Sequence, residues 1–108
     1  MMALYARRRE TIGKAIEAGI EVHSGTDAGT VVPHGEILSE VAELASLGGG
    51  AFAIKASSWG ARSWLGADSL AEGASADLIV TDTDPRADTG ALRDPVARVL
   101  RGRVISCP

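Results

Sequence analysis

The strongest constraint on the fold of this chain is a change of hydrophobic period at Gly66. Up to that residue, the stretch Ile20 to Asp27 apart, the apolar positions recur at helical spacing; beyond it they fall into short β-like runs broken by Gly73, Asp84-Pro85 and Asp94-Pro95. Before the change, Arg7 to Ala18 reads as a helix with a narrow stripe of Ile12, Ala15, Ile16 and Gly19, and Gly19 is its natural stop. Glu10 precedes Lys14 by one helical turn on the solvated side, and the Arg7-Arg8-Arg9 run reads as a solvated face rather than an anion site. Glu36 to Leu47 is the clearest helix, with Ile37, Val41, Leu44 and Ala45 on one side and Glu36, Glu40 and Glu43 on an acidic, solvated face. After Gly48-Gly49-Gly50, Phe52 to Trp59 and Gly60 to Leu65 suggest two shorter helices, with Trp59 and Trp64 as core or interface anchors. Past Gly66, the best strands are Asp77 to Thr81 and Val96 to Ile105, the latter interrupted by Gly102 at a tight hairpin turn. The pattern therefore divides the chain into residues 1–66 and 67–108.

Composition narrows the class of protein. A charged fraction of 23% and a hydrophobic fraction of 45% are globular values, and no apolar run approaches the roughly 20 residues of a membrane span. The net charge is −3, and the 11 basic residues are scattered without interleaved aromatics, so neither nucleic acid nor a membrane is an expected partner. Cys107 is the single cysteine, which excludes an internal disulfide and a cysteine metal site. In Met1 to Arg9 the charges follow the apolar residues, the wrong order for a secretory signal, and a cytoplasmic setting is the expectation.

Between the first two helices lies the stretch with chemical potential. Ile20 to Asp27 reads as a strand that delivers one carboxylate, Asp27, into the small-residue loop Gly25-Thr26-Asp27-Ala28-Gly29-Thr30. His23, Gly25 and Asp27 share a face of that strand, yet at ~3.3 Å per residue His23 sits ~13 Å from Asp27, too far to share a metal. A hydrogen-bonded structural histidine is the better reading of His23. Asp27 itself fits either a turn aspartate or an active-site carboxylate. His34 in Pro33-His34-Gly35 fits a substrate contact or a surface loop, and Asp82 with Asp84 fits a strand end running into an Asp-Pro turn. A phosphate-cradling role for the glycine loop has no Gly-Lys-Ser/Thr or dinucleotide fingerprint behind it.

The run from Ala18 to Thr30, followed by Pro33-His34-Gly35, resembles the eighth-strand segment of the metal-dependent amidohydrolase superfamily, in its imidazolonepropionase-like and prolidase-like branch. Glu72 to Asp82 resembles the C-terminal signature of the same family, and the two motifs fall in the family's order. The resemblance implies an α/β fold: residues 1–66 as the last helix-strand-helix portion of a TIM-type (β/α)8 barrel, and residues 67–108 as strands of a small composite β-sandwich domain. It implies that Asp27 binds a divalent metal, zinc by preference, and accepts the proton of the attacking water, with His34 near the substrate. The substrate would be an amide, a cyclic amide or an X-Pro dipeptide. A whole barrel needs roughly 250 residues, so the chain matches only the end of such an enzyme. The family's metal-binding histidines are absent, and the chain alone is expected to be inactive, completed by the rest of the barrel or by a partner chain. The competing expectation is a stand-alone, non-catalytic module or split subunit.

Overall fold

The computed structural model describes residues 2–67 and 70–106; Cys107 lies outside them. In chain order the elements are helices α1 (Met2–Glu17), α2 (Ile37–Gly48), α3 (Gly50–Ser57) and α4 (Trp59–Trp64), strand β1 (Leu78–Val80), a 3₁₀ turn (Thr89–Leu92), and strands β2 (Ala97–Leu100) and β3 (Arg103–Ser106).

Two glycines end helices in the same way. Gly19 has φ +78°, its N–H donates to the carbonyl of Ile16, and the Ile20 N–H reaches back to Ala15. Gly66 has φ +74° and repeats the pattern with Ser63 and, through the Ala67 N–H, Arg62. This double bond around a left-handed residue closes the last helical turn, and glycine adopts that conformation without a Cβ clash.

α2 and α3 pack against each other and supply the core: Val41, Leu44, Ala53, Ile54 and Ala56 are buried, flanked by half-buried Val22, Ala45, Phe52 and Leu92. Small residues let other backbones come close. A Cβ added at Gly50 would run into the carbonyl of Arg86, and one added at Gly60 would lie 2.7 Å from the Lys55 carbonyl oxygen. α1 leans on α2 through Arg9, whose guanidinium donates to the Glu43 carboxylate and the Ser46 hydroxyl.

The three strands form one antiparallel sheet in the order β1-β2-β3, with Leu78 opposite Val99 and Val99 opposite Val104, and an irregularity at Arg98/Val99. The β2–β3 hairpin turns on Arg101 (φ +50°) and Gly102 (φ +78°). Two successive positive φ values are what a two-residue turn needs to match the twist of its strands. Asp77 fastens this turn: its carboxylate accepts the Arg101 N–H at 2.8 Å, and the Gly102 N–H donates to the Ala76 carbonyl. The Arg101 N–H first, then the Ser75 side chain, hold the Asp77 carboxyl below its ordinary pKa, with the Arg62 charge adding to the effect. The Arg62 guanidinium also donates to the Asp77 carbonyl, tying α4 to the start of β1.

The helices and the hairpin fall where the hydrophobic period put them, but the barrel expectation is overturned. A barrel segment needs parallel strands hydrogen-bonded side by side. Here Glu21 to Asp27 run without helix, turn or bend and enter no ladder, the sheet is antiparallel and three-stranded, and the helices close a small core of their own. The C-terminal strands form that single sheet rather than a two-layered sandwich. The chain is a small domain, not the end of a TIM barrel. Alternating apolar residues establish a straight run of backbone; they do not establish a neighbouring strand.

Candidate functional site

The loop carrying Asp27 is held at its base by two contacts. The Ser24 N–H donates to the Ala56 carbonyl at the end of α3 (3.2 Å), and the Gly25 N–H reaches the Glu40 carboxylate on α2 (3.4 Å). Beyond them the backbone reverses. Asp27 adopts φ +54°, Gly29 φ +107°, the Gly29 N–H donates to the Val32 carbonyl at 2.9 Å, and Ala28 bridges Val32. The Thr30 hydroxyl donates to the Asp27 carbonyl at 3.4 Å. Aspartate tolerates the left-handed region better than most residues. The turn is therefore made by the main chain of Asp27, while its carboxylate is exposed and has no hydrogen-bond or ion-pair partner among the described residues.

His34 belongs to the same loop. A Cβ added at Gly29 would lie 3.7 Å from His34 Nε2, so the imidazole lies over the glycine that lets the loop close. Asp27 and His34 are thus carried by one exposed loop, with Val31 at its tip 93% exposed.

His23 is placed elsewhere. Its ring stands 5.2 Å from the Trp64 ring, tilted by 32°, and Nε2 is 3.2 Å from the Glu21 carboxylate. That approach lacks hydrogen-bond geometry: both ring nitrogens are shielded from solvent and neither has a hydrogen-bond partner. The sequence expectation of a hydrogen-bonded histidine is corrected on this point. Beside it lies a groove of about 440 Å³ lined by Ile16, Ile20, Val22, Phe52 and Lys55 among others. Nothing in the local sequence announced this groove, because it forms where α1, the straight run and α3 meet.

The two tryptophans are also corrected as core residues, since Trp59 is 44% and Trp64 68% exposed. Trp59 borders a second, open groove of about 510 Å³ with Thr81, Asp82 and Asp84. Asp84 is gripped by the Arg86 guanidinium at 2.9–3.2 Å, and the Arg86 N–H donates to it as well. The Arg86 side chain first, then its N–H, hold the Asp84 carboxyl below its ordinary pKa, and Asp84 in turn raises that of Arg86. This is the aspartate of an Asp-Pro turn, as its sequence suggests.

A divalent metal does not fit these donors. Catalytic zinc takes about three protein ligands, and no group of three His, Cys, Asp or Glu side chains gathers among the described residues. Asp27 and His34 together fall short of that number, and His23 is engaged at Trp64. Also among the described residues, no helix is long and apolar enough to cross a membrane.

No known family profile matches the chain. Uncharacterized proteins of Mycobacterium tuberculosis (strain ATCC 25618 / H37Rv) and Mycobacterium bovis (strain ATCC BAA-935 / AF2122/97) are each 46% identical to it over 104 residues, which is 95% of this chain. The chain spans only 28% of the length of these relatives. If 104 residues are 28% of a relative, that protein has about 370 residues, some 270 of them without counterpart here.

Proposed function

We propose that this chain works as one portion of a metal-dependent amidohydrolase-type enzyme that cleaves the C–N bond of an amide, cyclic amide or X-Pro dipeptide, and that it has no hydrolytic activity by itself. The observation that carries this reading is the Asp27 carboxylate, without a partner among the described residues and exposed on a left-handed turn at the end of a straight run whose residues resemble the family's segment. An exposed carboxylate held by a backbone turn is available to a site completed from outside. The relatives give that outside a size, since their unmatched part is large enough to bring the missing histidines. His34, carried over Gly29 in the same loop, is the candidate contact to substrate. Within this chain the donors do not hold a metal, so Asp27 and His34 are assigned positions here and no reaction step.

The test is reconstitution. This chain is co-expressed with the part of the mycobacterial relative that lies outside the matched 104 residues, and the complex is assayed with zinc on amide and X-Pro dipeptide substrates. Hydrolysis by the complex, absent from either piece and abolished by Asp27→Asn, supports the proposal. Asparagine also accepts the left-handed conformation, so that variant removes the charge and keeps the turn. Hydrolysis undiminished in Asp27→Asn would sink the role of the carboxylate. A stable complex with no hydrolysis and no bound metal favours the second reading, a non-catalytic module or split subunit, for which the exposed apolar residues Val104 and Ile105 on β3 speak.

A further inference from the structure

The groove of about 440 Å³ where α1, the straight run and α3 meet carries two opposite charges that do not meet each other. Small-molecule sites commonly have this size. Part of its lining is apolar: Ile16, Ile20, Val22 and the half-buried Phe52. Ile20 is 59% exposed there. The charges are those of Glu21 and Lys55, and α4 shows how near they come. A Cβ added at Gly60 would lie 3.2 Å from Lys55 Cγ, so the lysine stem lies against Gly60. One helical turn on, Trp64 meets the His23 ring, and His23 Nε2 stands 3.2 Å from a Glu21 carboxylate oxygen. Residues four apart share a helix face and are about 6 Å apart along the axis. Glu21 and Lys55 are therefore brought to the same side of α4, about one turn apart. The Lys55 ammonium has no hydrogen-bond or ion-pair partner among the described residues. The Glu21 carboxylate has no hydrogen bond there either, its approach to His23 lacking the geometry for one.

We propose that this groove binds a small zwitterion with an apolar body, the chemistry of a free apolar α-amino acid or a short apolar peptide. Its carboxylate meets the Lys55 ammonium, its ammonium meets the Glu21 carboxylate, and its apolar side chain covers Ile20 and Phe52. Charge selects this class over its neighbours. An acid without an amine brings a carboxylate toward Glu21 with nothing to offset the repulsion, and an amine without an acid does the same toward Lys55. Opposite charges that border one groove without closing on each other leave room for a molecule that meets both. The site goes beyond the hydrolytic reading and does not rest on it, since neither Asp27 nor His34 borders the groove.

Titrating the full chain with leucine and with leucyl-leucine, followed by NMR amide shifts, tests the site. The expected result is saturable shifts at Glu21, Val22, Phe52 and Lys55 with half-saturation in the millimolar range. The tighter of the two probes tells whether the natural source is an amino acid or a peptide. N-acetyl-leucine and leucinamide each lack one charge and should bind at least about threefold more weakly than leucine. Lys55→Met keeps the stem against Gly60 and removes the ammonium; it should weaken leucine at least about threefold and leave leucinamide no weaker. Glu21→Gln should likewise weaken leucine and leave N-acetyl-leucine no weaker. Where a variant fails to fold by circular dichroism, the analogue series on the parent chain decides. No saturable shift with either probe at up to on the order of 10 mM overturns the proposal, and so does equal binding of leucine and its two singly charged analogues. Shifts at the same amides that grow with chain concentration in the absence of any probe, accompanied by a doubled mass, also overturn it, because a second copy then fills the groove.

Discussion

The fold depends on one small contact between α2 and α3, and Leu44→Ala measures it. Leu44 is 6% exposed and sits among Val41, Ala53, Ile54 and Ala56. Truncation to alanine removes three buried carbons, about 2.4 kcal/mol at about 0.8 kcal/mol per carbon. A cavity adds to that loss, but Ala45, Phe52 and Leu92 around the site are only half-buried and can move inward. The expected cost is therefore about 3 kcal/mol, toward the lower part of the range for such substitutions. Among the described residues the buried core is the small set of Val41, Leu44, Ala53, Ile54 and Ala56, and domains of this size carry about 5–15 kcal/mol in all. The variant should lose a large share of its stability. Urea unfolding followed at the helical circular dichroism band gives the number, with Val31→Ala as the matched control: Val31 is 93% exposed and its loss should cost less than about 0.5 kcal/mol. A Leu44→Ala cost below about 1 kcal/mol, or one no larger than that of Val31→Ala, would refute the assignment of the α2–α3 contact as the organising core.

Three further outcomes are expected. Gly102→Ala, at φ +78°, should lower stability by about 1 kcal/mol in thermal unfolding, and Arg101→Asn, at φ +50°, should raise it by a few tenths; equal effects of the two would argue against the turn geometry. The Asp77 carboxyl has a folded-state pKa below its ordinary value of 3.8, so its stabilising contribution is present above that value and lost as pH falls through the folded pKa. Urea midpoints measured downward from neutral pH should therefore fall less steeply in Asp77→Asn than in the parent, and parallel curves would remove Asp77 as a contributor. Arg9→Ala should cost less than about 1 kcal/mol of global stability, because the ion pair with Glu43 is exposed, yet it should speed amide exchange along α1, whose tie to α2 it cuts.

What could be read from the sequence were features decided within a few residues. The helical stripe of Val41 and Leu44 is buried as its spacing demands, and Gly19, Gly66 and Gly102 all adopt the positive φ that their places at helix ends and in the hairpin call for. What could not be read were contacts between distant residues. Asp77 meets the Arg101 N–H across 24 positions of sequence, and Arg9 meets Glu43 across 34, with no local pattern to announce either. Ile37 shows the limit of the stripe itself: it shares the apolar face of α2, but as the helix's first residue it extends past the packed contact and stays 42% exposed. Of the two places open to the tryptophans, core or interface, exposure removes the first for a related reason. α4 is a single short element at the edge of the helical core, so an aromatic on it has little to pack against, and the Trp64 ring stands 5.2 Å from that of His23.

The candidate site shows the same division. That Asp27 closes a straight run and begins a glycine turn follows from its neighbours, and the structure adds that the turn is made by its own left-handed backbone. What a carboxylate does depends on which other groups converge on it, and convergence is long-range. Among the described residues no group of three His, Cys, Asp or Glu side chains gathers there, which is too few donors for a metal. Asp27 stands at the end of a straight run, and its carboxylate has no hydrogen-bond or ion-pair partner among the described residues.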